Sequence, residues 1–165
     1  MKKILIYFLL VFFCLSSFQN FAQNPVSDLH KIDLPLRIPL YLSGNFGELR
    51  SNHFHSGLDF KTQGVVGKSV YSIEDGYVSR ISVSPSGYGR ALYITHPSLG
   101  ITTVCGHLSR FNAYIDSVVK ARQYENESFS VNLTFGPGEI PVKRGQLVAK
   151  SGNTGSSGGP HVHFE

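Results

Sequence analysis

The 165-residue sequence has no tryptophan, one methionine and only two cysteines, Cys14 and Cys105. Cys14 falls in an apolar leader, so Cys105 stands alone and the rest of the chain cannot form an internal disulfide. A domain exported in this form must be held by packing or by a metal. Charge is sparse as well, with Asp, Glu, Lys and Arg making 16% of the residues and neither sign forming a run. That argues against a nucleic-acid footprint, which needs clustered cations. The formal net charge of +4 falls to about +2 once the leader removes Lys2 and Lys3, a small excess that suits an anionic polymer without specifying one. There is also no apolar run of the roughly 18 residues that a membrane-spanning helix requires.

What the N-terminus does have is Met1-Lys2-Lys3, an apolar stretch from Ile4 to Cys14, and a passage through Leu15-Ser16-Ser17 to Asn20-Phe21-Ala22. Charged region, apolar region and small-residue cleavage site follow in the order of a secretory signal, with cleavage after Ala22. An uncleaved anchor would want a longer apolar run. Acylation of Cys14 would want small residues where Phe12-Phe13 stand. The reading is therefore a signal peptide over 1–22, a lead-in over 23–39 and one domain over 40–165, exported to the periplasm or cell envelope or secreted, with no stable membrane anchor after cleavage.

Short alternating runs dominate beyond residue 39: Leu40 to Leu42, Val70 to Ile73, Tyr77 to Val83, Ala91 to Thr95, Ile101 to Val104, Phe129 to Phe135 and Leu147 to Ala149. Gly and Pro punctuate them, which predicts a mainly β, antiparallel fold. One segment departs from this. Phe111, Ile115, Val118, Val119 and Arg122 recur at helical intervals, predicting an inserted amphipathic helix over about 112–124.

The seven histidines carry the chemistry. His161 and His163 are two apart in Pro160-His-Val-His-Phe-Glu165, and His55 precedes Asp59 by four in His55-Ser-Gly-Leu-Asp59. Alternate residues of a strand share a face, so His161 and His163 should enter one space about 7 Å apart while Val162 and Phe164 turn to a core. Zinc accepts imidazole nitrogen and carboxylate oxygen in a tetrahedron, and a catalytic site leaves the fourth position to water. Either motif alone is weak, because a lone histidine on a strand is more often an ordinary core or surface residue. His30, His53 and His96 keep that ordinary reading. The signal lies in the coincidence of both motifs with Gly106-His107-Leu108 in one exported chain.

These residues resemble the lysostaphin-type (LytM-like) zinc metallopeptidases. The matching stretches are His55-Ser-Gly-Leu-Asp59-Phe60, Asp75-Gly76-Tyr77-Val78, Thr103 to Ser109, Val142 to Ala149 and Gly152 to Glu165. The resemblance runs from about Leu40 to the last residue and implies a sandwich of antiparallel sheets of the duplicated hybrid motif type. It implies one zinc per chain held by His55, Asp59 and His163, with His107 and His161 as the non-ligand catalytic histidines. It also implies an endopeptidase that cuts peptide cross-links of bacterial peptidoglycan, whose stem and cross-link peptides are the partners. Between a D-alanyl–diaminopimelate bond and a glycine bridge the leader's Phe-Ala-Gln ending, similar to those of Gram-negative Bacteroidetes, favours the first. The choice of His107 or His161 as general base stays open, with His161 preferred.

Three departures qualify the match. Cys105-Gly106 stands where the family usually has an aromatic and a small residue. Residues 110–138 are longer than a minimal member needs and are candidates for bordering the cleft. The sequence stops two residues after His163, so the last strand is expected to lack a partner and the domain to be truncated. Two rivals remain. A catalytically silent relative that binds wall or activates another hydrolase would be expected to lack a metal residue, and none is missing. A biotinyl- or lipoyl-type carrier is suggested only by Val142 to Gln146 and lacks the methionine-flanked lysine. The glycine-rich run 152–159 leads into a strand rather than a helix and has no Gly-Lys-Ser/Thr ending, which excludes a phosphate loop and leaves it to wall a peptide groove.

Overall fold

A computed structural model describes residues 32–51 and 53–165. The predicted signal over 1–22, His30 and most of the lead-in lie outside the described residues. The rest forms eleven strands and one helix: β1 (Leu42–Gly44), β2 (Leu58–Lys61), β3 (Ser69–Tyr71), β4 (Gly76–Val83), β5 (Arg90–His96), β6 (Ile101–Gly106), β7 (Arg110–Phe111), α1 (Ala113–Glu125), β8 (Val131–Thr134), β9 (Pro141–Val142), β10 (Leu147–Lys150) and β11 (His161–Phe164). The larger sheet has the order β1-β2-β11-β6-β5-β4-β8, with β9 also on β4, and the smaller has the order β3-β10-β7. Every pairing among them is antiparallel. The predicted mainly β, antiparallel class is thus the observed one.

Both sheets and the helix feed one core. Val78, Ile81, Leu92 and Val162 from the larger sheet meet Val148 of the smaller sheet and Ile115 of α1. Val78 and Ile81 are both buried although they stand three positions apart, because the β4–β5 register shifts between Val78 and Arg80 and the extra residue returns the strand to its inward face. The helix sits one residue later than predicted. Asn112 caps it, its Oδ1 accepting the Ile115 amide at 2.9 Å, and Ile115 and Val119 form its buried stripe. Phe111 belongs to β7, and Arg122 lies outward, paired with Glu125 at 2.6 Å.

Two expectations change. β2 carries no clean alternation, since Asp59 and Phe60 are both buried, and sequence periodicity passes it over. The last strand does not lack partners: β11 lies inside the larger sheet, with Val162 opposite Phe60 on β2 and Phe164 opposite Cys105 on β6. Beyond it, Glu165 and Val104 exchange both backbone hydrogen bonds, at 3.0 and 2.9 Å. Neighbours in sequence do not dictate neighbours in a sheet, and a crossover brings the segment to the middle. Among the described residues, no helix is long and apolar enough to cross a membrane.

Candidate metal centre and active-site cleft

The register of β11 against β2 places His163 directly opposite Asp59, and the loop entering β2 brings His55 to the same point. Val162 is fully buried, and Phe164 packs on Phe60 with ring centroids 6.0 Å apart, so the alternate residues do turn to the core. On the other face, His55 Nε2, His163 Nδ1 and Asp59 Oδ1 converge. The separations are 2.9 Å between the two nitrogens and 3.0 Å from each nitrogen to the oxygen. All three residues are buried.

The outer atoms of the rings decide what this convergence means. His55 Nδ1 lies 2.8 Å from the carbonyl oxygen of Asn45, which can only accept, so the ring proton sits there and Nε2 presents a lone pair. His163 Nε2 lies 2.9 Å from Glu165 Oε1, which by the same argument leaves a lone pair on Nδ1. Three acceptors therefore face one another with no hydrogen among them, which is unfavourable unless a cation lies between. Donors of a tetrahedral zinc, bonded at about 2.0–2.1 Å, stand about 3.3 Å apart, so the spacing needs to open by only a few tenths of an ångström. The donor set fits such an ion.

Burial opposes ionisation of Asp59, but the imidazoles of His163, His161 and His55 crowded around it outweigh that and hold the carboxyl below its ordinary range. Its second oxygen, Oδ2, takes Arg50 Nη2 at 3.0 Å. Glu165 Oε1 accepts from Ser56 and Tyr88 as well as from His163. Tyr88 also stacks on His163, with centroids 4.9 Å apart and planes 21° apart.

His107 and His161 stand beside the three, their ring centroids 4.6 Å apart. Each has its Nδ1 proton tied to the glycine-rich loop: His107 donates to the Thr154 carbonyl at 2.8 Å and His161 to the Gly159 carbonyl at 2.8 Å. Each Nε2 is thereby left as a base, and that of His161 lies 3.5 Å from Asp59 Oδ1. Burial is the main influence on His107 and pushes its pKa down, favouring the neutral ring. The residue also holds a φ of 58°, a left-handed conformation that costs a side chain about 1–2 kcal/mol. Such strain concentrates where a side chain must be aimed.

The glycine-rich run owes its composition to close approach. A Cβ on Gly152 would press into the Ser109 amide and the His107 carbonyl, and one on Gly155 (φ +71) into the backbone of Gly87 and Gly89. The run walls an open cleft of about 400 Å³ together with Arg50, His53, Tyr88 and the histidines. Residues 110–138 do not line this cleft; α1 instead packs against β7 and β8, which corrects the expected border role. Cys105 faces the core, its thiol pushed up to about 12 by burial and hence unreactive. His96 is an ordinary buried histidine, hydrogen-bonded to Thr103 Oγ1 at 3.0 Å. His53 lies on the cleft rim.

Sequence reasoning missed the supporting groups. Glu165 could have been found, being two residues beyond His163 and so on the same strand face. Arg50, Tyr88 and the carbonyls of Asn45, Thr154 and Gly159 act through loop conformation, which no spacing reveals.

No protein-family model matches the chain. Among curated proteins it is 34% identical over 147 residues to an uncharacterized metalloprotease of Haemophilus influenzae, covering 89% of this chain and 25% of that one. It is 34% identical over 111 residues to the peptidoglycan DD-endopeptidase ShyB of Vibrio cholerae, covering 67% of this chain and 20% of the relative. The chain thus spans a quarter or less of the length of these relatives. Among solved structures, the catalytic domain of the antimicrobial peptidase lysostaphin from Staphylococcus simulans shares the fold with a TM-score of 0.50 at 26% identity. That match covers 75% of this chain and 74% of the other.

Proposed function

Because the chain carries a domain of the lysostaphin-type M23 metallopeptidase family, we propose that it is a zinc endopeptidase that hydrolyses the peptide cross-links of peptidoglycan. The observation that carries this reading is the meeting of three proton-free donors, His55 Nε2, His163 Nδ1 and Asp59 Oδ1, beside two further histidines in an open cleft. His55, Asp59 and His163 hold the metal. Zinc bound there supplies Lewis acidity and lowers the pKa of water towards about 7.

The remaining chemistry belongs to side chains. His161 Nε2, 3.5 Å from Asp59 Oδ1, accepts a proton of the attacking water and passes it to the leaving amine, while His107, when its ring is protonated, offers a hydrogen bond to the developing oxyanion. The Gly159 carbonyl holds the His161 ring in the tautomer this requires, and the Thr154 carbonyl fixes the orientation of the His107 ring. The open cleft admits an extended peptide between a wall of Arg50, Ser51, His53 and Ser56 and a wall of Ser156, Ser157 and Gly158. On this reading the protein works in the cell envelope, where peptidoglycan lies.

Purified peptidoglycan with direct D-alanyl–diaminopimelate links and peptidoglycan with glycine bridges are digested with the zinc-loaded protein, and the released ends identified by mass spectrometry. Cleavage of the direct link is expected. Intact cross-links in both substrates would sink the proposal and leave the silent-relative reading in its place.

A further inference from the structure

The three donors are held from outside, and two of the three supports come from a single loop. Asn45 supplies the carbonyl that fixes His55. Five residues on, Arg50 sends Nη2 to Asp59 Oδ2 at 3.0 Å. Glu48 joins them: its Oε2 accepts the Asn45 amide at 3.0 Å and lies 3.4 Å from Arg50 Nη2. The backbone ties the same turn to the first donor, since His55 donates its amide to the Glu48 carbonyl at 2.8 Å and Gly47 donates to the His55 carbonyl at 2.8 Å.

We propose that Arg50 is a positioning residue for the metal centre, occupying Oδ2 of Asp59 so that only Oδ1 is presented, with Glu48 bracing the guanidinium. The inference rests on the metal-site reading above. A free carboxylate can rotate and offer either oxygen or both, whereas one whose Oδ2 is held by a fixed guanidinium offers one oxygen in one direction.

Two observations separate this from an ordinary surface ion pair. The Nε atom of Arg50 is buried without a hydrogen-bond partner, a cost that a freely rotating side chain would escape by turning to water. Gly44, on the neighbouring strand, is the residue that leaves the pair its space: a Cβ there would press on both Arg50 Nη2 and Asp59 Oδ2. Backbone and side chains thus agree on one placement.

Zinc affinity decides the matter, measured by chelator competition on the full chain, with circular dichroism and the metal-free thermal midpoint as controls for folding. Arg50→Gln is expected to weaken zinc about 10–100-fold, the range for loss of an orienting partner, with Arg50→Lys between it and the wild type. Gly44→Ala retains both charges but wedges a methyl group against them, and is expected to weaken zinc as well; it carries the test if Arg50→Gln does not fold. Zinc binding by Arg50→Gln as tight as the wild type or tighter would mean that Arg50 merely adds positive charge near the ion. That result, or unchanged affinity in Gly44→Ala, overturns the inference. His55→Ala runs alongside: if the wild type binds zinc no better than His55→Ala, the metal-site reading has failed, whereas loss there with an unaffected Arg50→Gln removes Arg50 alone.

Discussion

His55 Nε2 and His163 Nδ1, from residues 108 apart in sequence, face each other at 2.9 Å, and neither carries a proton. Their protons are held on the far sides of the rings by Asn45 and Glu165. The pair is a preorganised repulsion, aimed at one carboxylate oxygen.

About one zinc per chain is therefore expected. His55→Ala, Asp59→Ala and His163→Ala should each lose most of it, because a three-donor site cannot spare one. Metal analysis of the purified variants checks this. At a free zinc concentration a thousandfold above Kd the ion should also stabilise the wild type by about 4 kcal/mol, visible as a drop in thermal midpoint on chelation. Full zinc content in all three variants would mean that the ion is held elsewhere.

His107→Ala and His161→Ala should behave differently. Their Nε2 atoms stand beside the three donors rather than among them, so zinc content should persist while turnover falls on the order of a hundredfold or more. A variant that digests wall at the wild-type rate would mark its histidine as structural.

Gly152→Ala tests the loop. The added methyl group has no space between the Ser109 amide and the His107 carbonyl, and relief requires moving the segment whose carbonyls orient His107 and His161, the proposed catalytic histidines. A loss of about 1–3 kcal/mol in stability is expected, as for overpacking in general, together with reduced turnover. Urea unfolding and a wall-digestion assay report the two effects.

His96 gives the fold a separate sensitivity to acid. Burial depresses its pKa in the folded protein, while the unfolded chain titrates near the ordinary value of about 6.5. Below that value the unfolded state binds the extra proton, so this contribution to stability is complete above about pH 6.5 and is lost as pH falls towards the depressed folded value. Replacing the ring by glutamine should flatten the fall in stability between about pH 7.5 and 5. An unchanged slope in urea titrations of His96→Gln would place the acid sensitivity in other groups.

The sequence made the periodic elements legible and left the others obscure for identifiable reasons. β4, β5 and α1 follow their apolar periods, although a bulge near Ser79 and a cap at Asn112 set details that period alone does not give. β2 escaped because Asp59, turned towards the cluster, replaces the apolar residue that alternation would need. The five candidate site residues were nameable because their types and spacing are unusual, and the structure brings all five into one cleft. Their orientation was not nameable, since it depends on the carbonyls of Asn45, Thr154 and Gly159, and a carbonyl is common to every residue. The interior position of β11 depends on a crossover that local pattern does not encode.

With a metal bound at the proposed site, that crossover would give the chain a long-range cross-link, while Cys105 stays free and buried in the core. A cation held at the proposed site would join Asp59 to His163, two residues 104 positions apart in the sequence. Closing a loop of about 100 residues removes about 5 kcal/mol of chain entropy from the unfolded state on the polymer account, as much as a long-range disulfide would. β11 pairs with both β2 and β6, so the donors meet through contacts of high sequence separation, which are costly in loop closure. A chain without this sheet would therefore hold no assembled centre, and the proposed hydrolytic capacity would depend on the completed sheet.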